Sequence, residues 1–306
     1  MANEKWGSEA IQELRTILDL VRWGASRFAE ANLSYGHGFD SPWDEATHLV
    51  LHALHLPHDT PDRVGNARLT VLERRAVVRL FRHRVLERQP VAYLTKEAWF
   101  AGLSFYVDER VLIPRSPIAE LIEKSFSPWL AQTKKILDLG TGSGCIAVAC
   151  ALAFPDAQVD AVDISAGALE VAKINVKRHE VEERVHLFQS DLYEKLGDHQ
   201  YDLIVSNPPY VPTEEVFTLP PEYQQEPALG LVAGKEGIDI ALRILRDALQ
   251  YLSPKGILVV EVGNSAAALE AALPKVPFLW LDFERGGGGV FLLTAQQIEQ
   301  NVECLR

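Results

Sequence analysis

The spacing of hydrophobic residues divides the chain into two regions with different periodicities. Through about residue 90, apolar positions recur every three or four residues, which predicts helices over 9–31, 43–56 and 70–88. From residue 134 onward, short apolar runs alternate with helical patterns instead. Such alternation is typical of an α/β fold with a largely parallel sheet and helices on both faces.

The second region contains enough predicted strands for a seven-stranded sheet. The predicted strands are 135–139, 158–162, 185–189, 203–206, 257–262, 279–283 and 290–294. Predicted helices over 145–153, 166–179, 238–252 and 265–273 fill most of the gaps between them. The link between the last two strands, Arg285 and the glycines at 286–289, is too short for a parallel crossover. Those two strands should therefore form an antiparallel hairpin.

We expect the segment between the two regions to be a connector. Short aromatic and apolar runs over 97–114 indicate a β-hairpin. Ser116 and Pro117 then provide a helix start, with serine as the N-cap and proline at the first helical position. We expect an N-terminal helical domain at 1–92, a β-hairpin linker at 93–114 and an α/β domain at 115–306.

A glycine-rich loop follows the first strand of the predicted sheet. The segment DLGTGSG places Gly140, Gly142 and Gly144 between that strand and the next helix. Glycines let the backbone turn sharply and approach a ligand where a Cβ would clash. The spacing G-x-G-x-G differs from the G-x-G-x-x-G that binds a dinucleotide pyrophosphate, which argues against a nicotinamide cofactor. A tight turn without a ligand is the plain alternative.

Two acidic residues follow neighbouring strands of the same sheet. Asp163 ends the second strand, 23 residues after Gly140, where a carboxylate can accept hydrogen bonds from both hydroxyls of a ribose. Asp191 follows the third strand, where a carboxylate can read the amino group of an adenine. An N-cap role for Asp191 is the alternative, and the two roles are compatible.

A fourth strand runs directly into the tetrapeptide Asn207-Pro208-Pro209-Tyr210. The prolines end the strand and stiffen a loop at the carboxyl edge of the sheet, where ligands bind in such folds. An amino group on an sp² carbon is a poor nucleophile because its lone pair is delocalised. Carbonyl groups of Asn207 and Pro208 can accept both of its N–H groups, and Tyr210 can hold its plane. The tetrapeptide therefore favours methyl transfer to a planar amino nitrogen over a plain turn.

The charge balance reduces the classes of partner that the protein can be expected to bind. Lys+Arg total 30 and Asp+Glu total 42, which gives 306 residues a net charge of −12. Binding long nucleic acid needs clustered cationic side chains, so direct DNA binding is not expected. The apolar runs are too short for a membrane span, and the three cysteines have no disulfide or zinc spacing. These features predict a cytoplasmic protein without membrane contact.

Two clusters of side chains invite a functional interpretation. His48, His52, His55 and His58 have helical spacing, but neither a carboxylate nor a cysteine completes a ligand set, so no metal is expected. Seven arginines stand against two glutamates between 68 and 88: Arg68, Arg74, Arg75, Arg79, Arg82, Arg84 and Arg88. This segment is either a solvated helix face or a contact with a substrate protein or its RNA.

DLGTGSG, AVDIS and IVSNPPY together resemble the class I S-adenosylmethionine-dependent methyltransferases that modify amino nitrogens. The wider arrangement is similar to the protein-(glutamine-N(5)) methyltransferase family, which adds an N-terminal helical domain, a β-hairpin linker and an EP…G…G segment. That segment is here Glu226-Pro227 to Gly234 and Gly237. The resemblance covers nearly the whole chain and implies a Rossmann-like fold with a mostly parallel seven-stranded sheet and a C-terminal antiparallel hairpin.

The resemblance also implies a cofactor, S-adenosyl-L-methionine, and assigns residues to it. The implied cofactor-binding residues are Asp138, Gly140, Thr141, Gly142, Gly144, Asp163, Ile164, Asp191, Leu192 and Asn207. The implied catalytic residues are Asn207, Pro208, Pro209 and Tyr210, which would hold the glutamine amide. In such enzymes the helical domain at 1–92 recognises the substrate, and 115–306 carries the catalysis.

One short stretch separates two branches of this family. Release-factor enzymes typically have R-P-x-T-E after the hairpin, whereas this chain has Arg115-Ser116-Pro117-Ile118-Ala119-Glu120. The latter is similar to the branch that methylates a glutamine of large-subunit ribosomal protein L-three. The expected partner is therefore a basic ribosomal protein, free or in an assembly intermediate.

Release factors, an adenine or cytosine in nucleic acid, and binding without catalysis remain alternatives. A base-modifying enzyme would need a basic cleft and a DNA-reading domain, and neither is evident in the sequence.

Overall fold

The computed structural model describes residues 6–305, which form two units. The first unit contains the chain up to Glu97 together with the short segment Pro220–Gln225. The second contains Ala98–Leu219 and Glu226–Arg306. The chain thus leaves the second unit once, after the NPPY segment, and returns to it at Glu226.

The first unit is helical, as its periodicity predicts. Its helices are α1 (Ser8–Glu13), α2 (Ile17–Glu30), α3 (Pro42–Ala53), α4 (Val71–Leu86) and α5 (Val91–Thr95). Its core is made of side chains that α2, α3 and α4 turn inward, among them Leu20, Phe28, Leu49 and Phe81, each with no exposed surface. Single-turn 3₁₀ segments lie at Asp62–Asn66 and Tyr223–Gln225.

The prediction of one helix over 9–31 is wrong, because the chain breaks between α1 and α2. Thr16 is the N-cap of α2: its hydroxyl accepts from the N–H of Asp19, and the Asp19 carboxylate accepts from the N–H of Thr16. This capping box starts a new helix at Ile17. The apolar spacing continues through the break, and for that reason the periodicity alone does not reveal it.

The arginines of α4 do not form one uniform surface. Arg84 is 1% exposed and donates to both oxygens of Glu45, at 2.8 and 3.2 Å, and to Glu222 Oε1 at 3.1 Å. Arg74 is buried and donates to backbone carbonyls of residues 11–14, at the end of α1. Neither a solvated face nor a substrate contact describes these two side chains. Arg75 and Arg79 are exposed.

The buried pair of Arg84 and Glu222 joins the two chain segments of this unit. Glu222 lies in Pro220–Gln225 and has no exposed side-chain surface. It accepts from Arg84 and, at 3.2 Å, from Arg88, whose other guanidinium nitrogen donates to the Ala31 carbonyl at 2.7 Å. Charges out of water need such partners, so this network fixes the segment within the helical unit.

The second unit contains a mostly parallel seven-stranded sheet, preceded by the small hairpin β1–β2. The hairpin strands are β1 (Glu97–Phe100) and β2 (Leu103–Tyr106). The sheet strands are β3 (Lys135–Leu139), β4 (Gln158–Asp163), β5 (Val185–Gln189), β6 (Tyr201–Ser206), β7 (Leu252–Glu261), β8 (Leu279–Trp280) and β9 (Val290–Thr294). Their order is β5-β4-β3-β6-β7-β9-β8. The predicted C-terminal hairpin is confirmed, since β9 runs antiparallel to both β7 and β8.

Helices cover the sheet between its strands. They are α6 (Ile118–Glu123), α7 (Cys145–Ala153), α8 (Ala166–Arg178), α9 (Asp239–Tyr251), α10 (Ala266–Ala272), α11 (Ala295–Gln300) and α12 (Val302–Leu305). The two apolar faces of the sheet pack in separate clusters, one around Ile136 and Val159 and the other around Leu137 and Leu258. No helix in residues 6–305 is long and apolar enough to cross a membrane.

The strand order places two loops side by side. The chain proceeds from β3 outward to β4 and β5 and then returns to β6 on the other side of β3. Leu139, the last residue of β3, pairs with Ser206, the last residue of β6. In α/β sheets a crevice opens outside the carboxyl ends of the strands at such a switch point. The glycine loop and the NPPY loop start there.

Candidate active site

A cavity of about 250 Å³ lies at the carboxyl ends of β3, β4 and β6. It brings together most of the residues that the sequence predicts for the site: Gly140, Thr141, Gly142, Asp163, Ile164, Asp191, Leu192, Asn207, Pro208 and Pro209. Asp138, Gly144 and Tyr210 are not among its lining residues. The whole cavity lies within the second unit.

The glycine loop is shaped by its backbone. Gly140, Gly142 and Gly144 have φ values of +73°, +54° and +79°, which favour glycine over residues with a Cβ. At Gly144 an added Cβ would also lie 3.2 Å from Ala172 on α8. Positive φ thus favours glycine at all three positions, and at Gly144 the close approach of Ala172 adds a second constraint.

Asp163 ties this loop to the end of β4. Its Oδ2 accepts from the N–H of Gly142 at 2.9 Å, and its Oδ1 accepts from the N–H of Ser165 at 2.8 Å. Burial raises the pKa of Asp163, and the backbone hydrogen bonds oppose that rise. Each carboxylate oxygen has a second lone pair, so the group can accept further hydrogen bonds from a ligand in the cavity.

Asp138 lies behind the loop with no exposed surface. Its Oδ2 accepts from the Thr141 hydroxyl at 2.6 Å and from the N–H of Ala147 in α7 at 3.1 Å. Its Oδ1 is buried and accepts no hydrogen bond from the residues that the structure describes. Burial raises the pKa of Asp138 to about 7. The side chain thus supports the loop and the start of α7 from beneath.

Asp191 reaches the cavity from the end of β5 with a partner that the sequence did not predict. Its carboxylate lies 2.8 Å from a guanidinium nitrogen of Arg243 on α9, and both residues line the cavity. The alternative role as an N-cap has no support, because no helix of residues 6–305 begins between β5 and β6. Arg243 fixes the orientation of the carboxylate.

Asn207 faces the glycine loop from the adjacent strand. Its Oδ1 is buried and accepts no hydrogen bond within residues 6–305. The preceding Ser206 hydroxyl donates to the Leu139 carbonyl at 2.6 Å, which joins the two strand ends. A buried amide oxygen without a partner is uncommon, and a hydrogen-bond donor from a ligand is one explanation for it. Pro208 and Pro209 line the cavity beside it.

Tyr210 is not among the residues that line the cavity, and its hydroxyl is bound at the end of β7. Its hydroxyl donates to Glu261 Oε1 at 3.0 Å, and its backbone carbonyl accepts from the Ser265 hydroxyl at 2.8 Å. Its ring packs against Gly263, where a Cβ would lie 2.6 Å from a ring carbon. Burial raises the pKa of Tyr210 well above its usual range.

A salt bridge that the sequence did not predict joins two of its motifs. Arg115, from the stretch that separates the branches, forms a bidentate pair with Glu226 of the EP segment, at 2.5 and 2.7 Å. Glu226 also accepts from the N–H of Ile113 at 3.0 Å. The two partners are 111 positions apart. Only the fold brings them together. The sequence shows an arginine in one motif and a glutamate in the other, which was a signal that the two could pair.

The histidines at 48, 52, 55 and 58 and the thiol of Cys145 give no sign of further chemistry within residues 6–305. Residues 6–305 contain no group of three or more histidine, cysteine and acidic side chains placed to hold a metal. Cys145 lines the cavity, but burial raises the pKa of its thiol to about 12, so it is not an activated nucleophile.

Comparisons with known proteins show the family of this chain. Residues 119–219 match the family described as the methyltransferase small domain. Over 291 residues, the chain is 53% identical to a ribosomal protein uL3 glutamine methyltransferase from Xanthomonas campestris pv. campestris, with 94% of each chain covered. The chain belongs to the family of ribosomal protein uL3 glutamine methyltransferases. A relative of the same name from Francisella tularensis subsp. tularensis is 46% identical, covering 97% of this chain and 96% of the relative.

A solved structure shows the same fold at lower similarity. The hMettl16 catalytic domain in complex with the MAT2A 3′UTR hairpin 6 has a TM-score of 0.50 and 18% identity. It covers 71% of this methyltransferase and 82% of that chain. The predicted Rossmann-like methyltransferase fold and the predicted uL3 glutamine methyltransferase branch are both confirmed, and the protein is an enzyme.

Proposed function

We propose that this methyltransferase transfers the methyl group of S-adenosyl-L-methionine to the side-chain amide nitrogen of a glutamine in ribosomal protein uL3. The observation that carries the proposal is the buried, unpartnered Oδ1 of Asn207 beside the glycine loop. The family name supports the choice of substrate, because both relatives are named for it.

The cavity residues fit the proposed cofactor. The glycine loop offers a close backbone surface for the methionine part, and Asp163 offers carboxylate lone pairs to ribose hydroxyls. Asp191, oriented by Arg243, would accept from the adenine amino group, with Leu192 against the ring. When bound, the cofactor supplies an electrophilic methyl on a sulfonium. Ile164 is half exposed and contributes apolar surface beside the ribose.

Asn207 and Pro208 would hold the substrate amide. The Asn207 Oδ1 accepts one N–H of the glutamine amide, and the Pro208 backbone carbonyl accepts the other. With both N–H groups held, the nitrogen lone pair can be directed at the methyl group for in-line transfer. Positioning and acceptors for the charge that develops on nitrogen supply most of the rate. No strong base is needed, because methylation leaves the amide nitrogen positively charged with two N–H groups, and this strongly acidic cation loses one proton to water.

The charges around the cavity favour a protein over a nucleic acid as substrate. The basic side chains that line it are Arg110, Arg115 and Arg243. Each is paired with a carboxylate, of Asp108, Glu226 and Asp191 respectively. Neutralised arginines do not attract a phosphate backbone, whereas a polyanion needs free cations. With a net charge of −12, the protein suits a basic partner in the cytoplasm, free or in a ribosome assembly intermediate.

One labelling experiment separates the candidate substrates. The protein is incubated with S-adenosylmethionine carrying a radioactive methyl group and a lysate from cells that lack the enzyme. We expect label in one basic ribosomal protein, identified as uL3, and methylglutamine after its digestion. Label in the release factors would assign the protein to the sister activity. Label in DNA or RNA would overturn the glutamine assignment.

A further inference from the structure

A buried carboxylate, Glu261, lies behind the NPPY loop at the end of β7. It is 4% exposed. Its Oε1 accepts from the Tyr210 hydroxyl at 3.0 Å, and its Oε2 accepts from the Ser116 hydroxyl at 2.5 Å. Burial raises the pKa of Glu261, while those two hydrogen bonds and the nearby Arg115 oppose the rise. A buried carboxylate is costly unless both oxygens are satisfied, and here each accepts from a hydroxyl.

Tyr210 is held through its hydroxyl, its backbone carbonyl and its ring. Glu261 binds its hydroxyl, Ser265 binds its carbonyl, and Gly263 packs against its ring. At Gly237, of the EP…G…G segment, a Cβ would lie 2.2 Å from the Tyr210 carbonyl oxygen. Tyr210 directly follows the two prolines, so restricting its ring and carbonyl also restricts the Pro208 carbonyl.

We propose that Glu261 and Ser116 are positioning residues that hold Tyr210 and thereby fix the Asn207–Pro208 acceptors on which the substrate amide binds. The proposal rests on the function proposed above. Glu261 and Tyr210 are not among the residues that line the cavity. Ser116 lines it, but its hydroxyl donates to Glu261. Their effect is on geometry, because a displacement of about 1 Å at a reacting centre can cost about 100-fold in rate.

The same contact gives a physical meaning to the stretch that separates the branches. In the release-factor pattern a proline directly follows the arginine, and a proline has no hydroxyl to donate. Here Ser116 follows Arg115, and its hydroxyl also accepts from the N–H of Ile118 at 3.1 Å, at the start of α6. Ser116 thus links the start of α6 to Glu261 and, through it, to Tyr210.

The test compares four variants with wild type: Glu261→Ala, Glu261→Gln, Ser116→Ala and Tyr210→Phe. Glu182→Gln, on an exposed surface, is the matched control. Active sites are counted by binding of S-adenosylhomocysteine, and kcat is expressed per active site. We expect Glu261→Ala to lower kcat about 30- to 100-fold and Ser116→Ala about 5- to 10-fold. The cofactor Kd and the substrate KM should stay within about twofold.

Two features distinguish positioning from a general loss of stability. Glu261→Gln keeps an acceptor for Tyr210 and should recover part of the rate lost in Glu261→Ala. Because Tyr210 and Glu261 act as a unit, Tyr210→Phe combined with Glu261→Ala should be no slower than Glu261→Ala alone. A structural role alone would lower the thermal midpoint and the number of active sites, and leave kcat per site unchanged.

The proposal is overturned if Glu261→Ala and Ser116→Ala keep kcat per site within about twofold of wild type, or if the double variant is fully additive. If Glu261→Ala does not fold, Ser116→Ala and its combination with Tyr210→Phe decide in the same way. The assays use whichever substrate the labelling experiment identifies. A substrate other than a glutamine side chain would therefore refute the proposed function and still show whether Glu261 controls kcat.

Discussion

The side chains of Asn207 at the cavity and of Arg84 in the helix α4 both bury polar atoms, but their hydrogen bonding is opposite. In the cavity, the Oδ1 of Asn207 is buried and has no partner among the described residues. In α4, the guanidinium of Arg84 donates four hydrogen bonds to Glu45, Glu222 and the Ser34 carbonyl. A buried group without a partner is available to a ligand, whereas a satisfied one holds the fold. We therefore expect substitution of Asn207 to lower activity and substitution of Arg84 to lower stability.

The largest effect on activity is expected from Asn207→Ala. Removing the side-chain acceptor should lower turnover about 10²- to 10³-fold, similar to the loss of one oxyanion-hole donor in other enzymes. Since Oδ1 has no partner in the part of the chain that the structure describes, the thermal midpoint should change little. Turnover is measured by methyl transfer to the purified substrate, and cofactor affinity by calorimetry.

Asn66→Ala, at an exposed position in the helical unit, is the control for that substitution. Near-normal turnover of Asn207→Ala would refute the amide clamp. A large drop in the thermal midpoint would instead place Asn207 with the structural polar groups and remove the contrast between the two regions.

Arg84→Ala should have the opposite profile. It leaves Glu45 buried without its cation, while Glu222 keeps only Arg88, and breaking a buried ion pair in this way costs about 3–5 kcal/mol. The loss should appear as an earlier urea transition of the helical unit, followed by the fluorescence of its tryptophans. Arg79→Ala, on the exposed face of the same helix, should change the transition by less than about 0.5 kcal/mol. Equal effects of the two variants would contradict the assignment of Arg84 to the core.

Asp163→Ala should weaken cofactor binding about 10- to 100-fold, because hydrogen bonds to a charged group contribute about 1.5–3 kcal/mol each. The variant also loses the hold on Gly142, so the glycine loop is less ordered when the cofactor arrives. Calorimetric titration with S-adenosylhomocysteine measures the change, with the exposed Asp198→Ala as control. An unchanged Kd would exclude Asp163 from the cofactor site.

The smallest effect is expected from reversing charge on the exposed side of α4. Arg75→Glu with Arg79→Glu should lower the rate on the intact protein substrate severalfold at low salt, since surface charges act mainly on encounter. The cofactor Kd should not change, and the deficit should shrink as salt screens the charges. Equal rates at low salt would leave this surface without a role in substrate recognition.

The same contrast explains which parts of the structure could be predicted from the sequence. The glycine loop, Asp163 and the NPPY segment were recognisable because backbone turns and strand ends are encoded within a few residues. The seven strands and the antiparallel C-terminal hairpin follow from local apolar runs and from a link too short to cross over. Such features need no knowledge of the rest of the chain.

The contacts that escaped prediction all depend on distant partners. Arg84 reaches Glu222 across 138 positions, and Ser116 reaches Glu261 across 145. A count of arginines on one helix gives no information about carboxylates that the fold brings to it. The break before Ile17 was missed for a different reason, because the apolar spacing continues across a helix start that Thr16 and Asp19 impose.

The most direct test of the amide clamp is a crystal structure with S-adenosylhomocysteine and a peptide of the substrate that contains the target glutamine. We expect the amide nitrogen to lie within about 3.2 Å of both the Asn207 Oδ1 and the Pro208 carbonyl oxygen. This nitrogen should also face the cofactor sulfur. A glutamine amide bound elsewhere, with the Asn207 Oδ1 paired to the cofactor alone or to water, would contradict it.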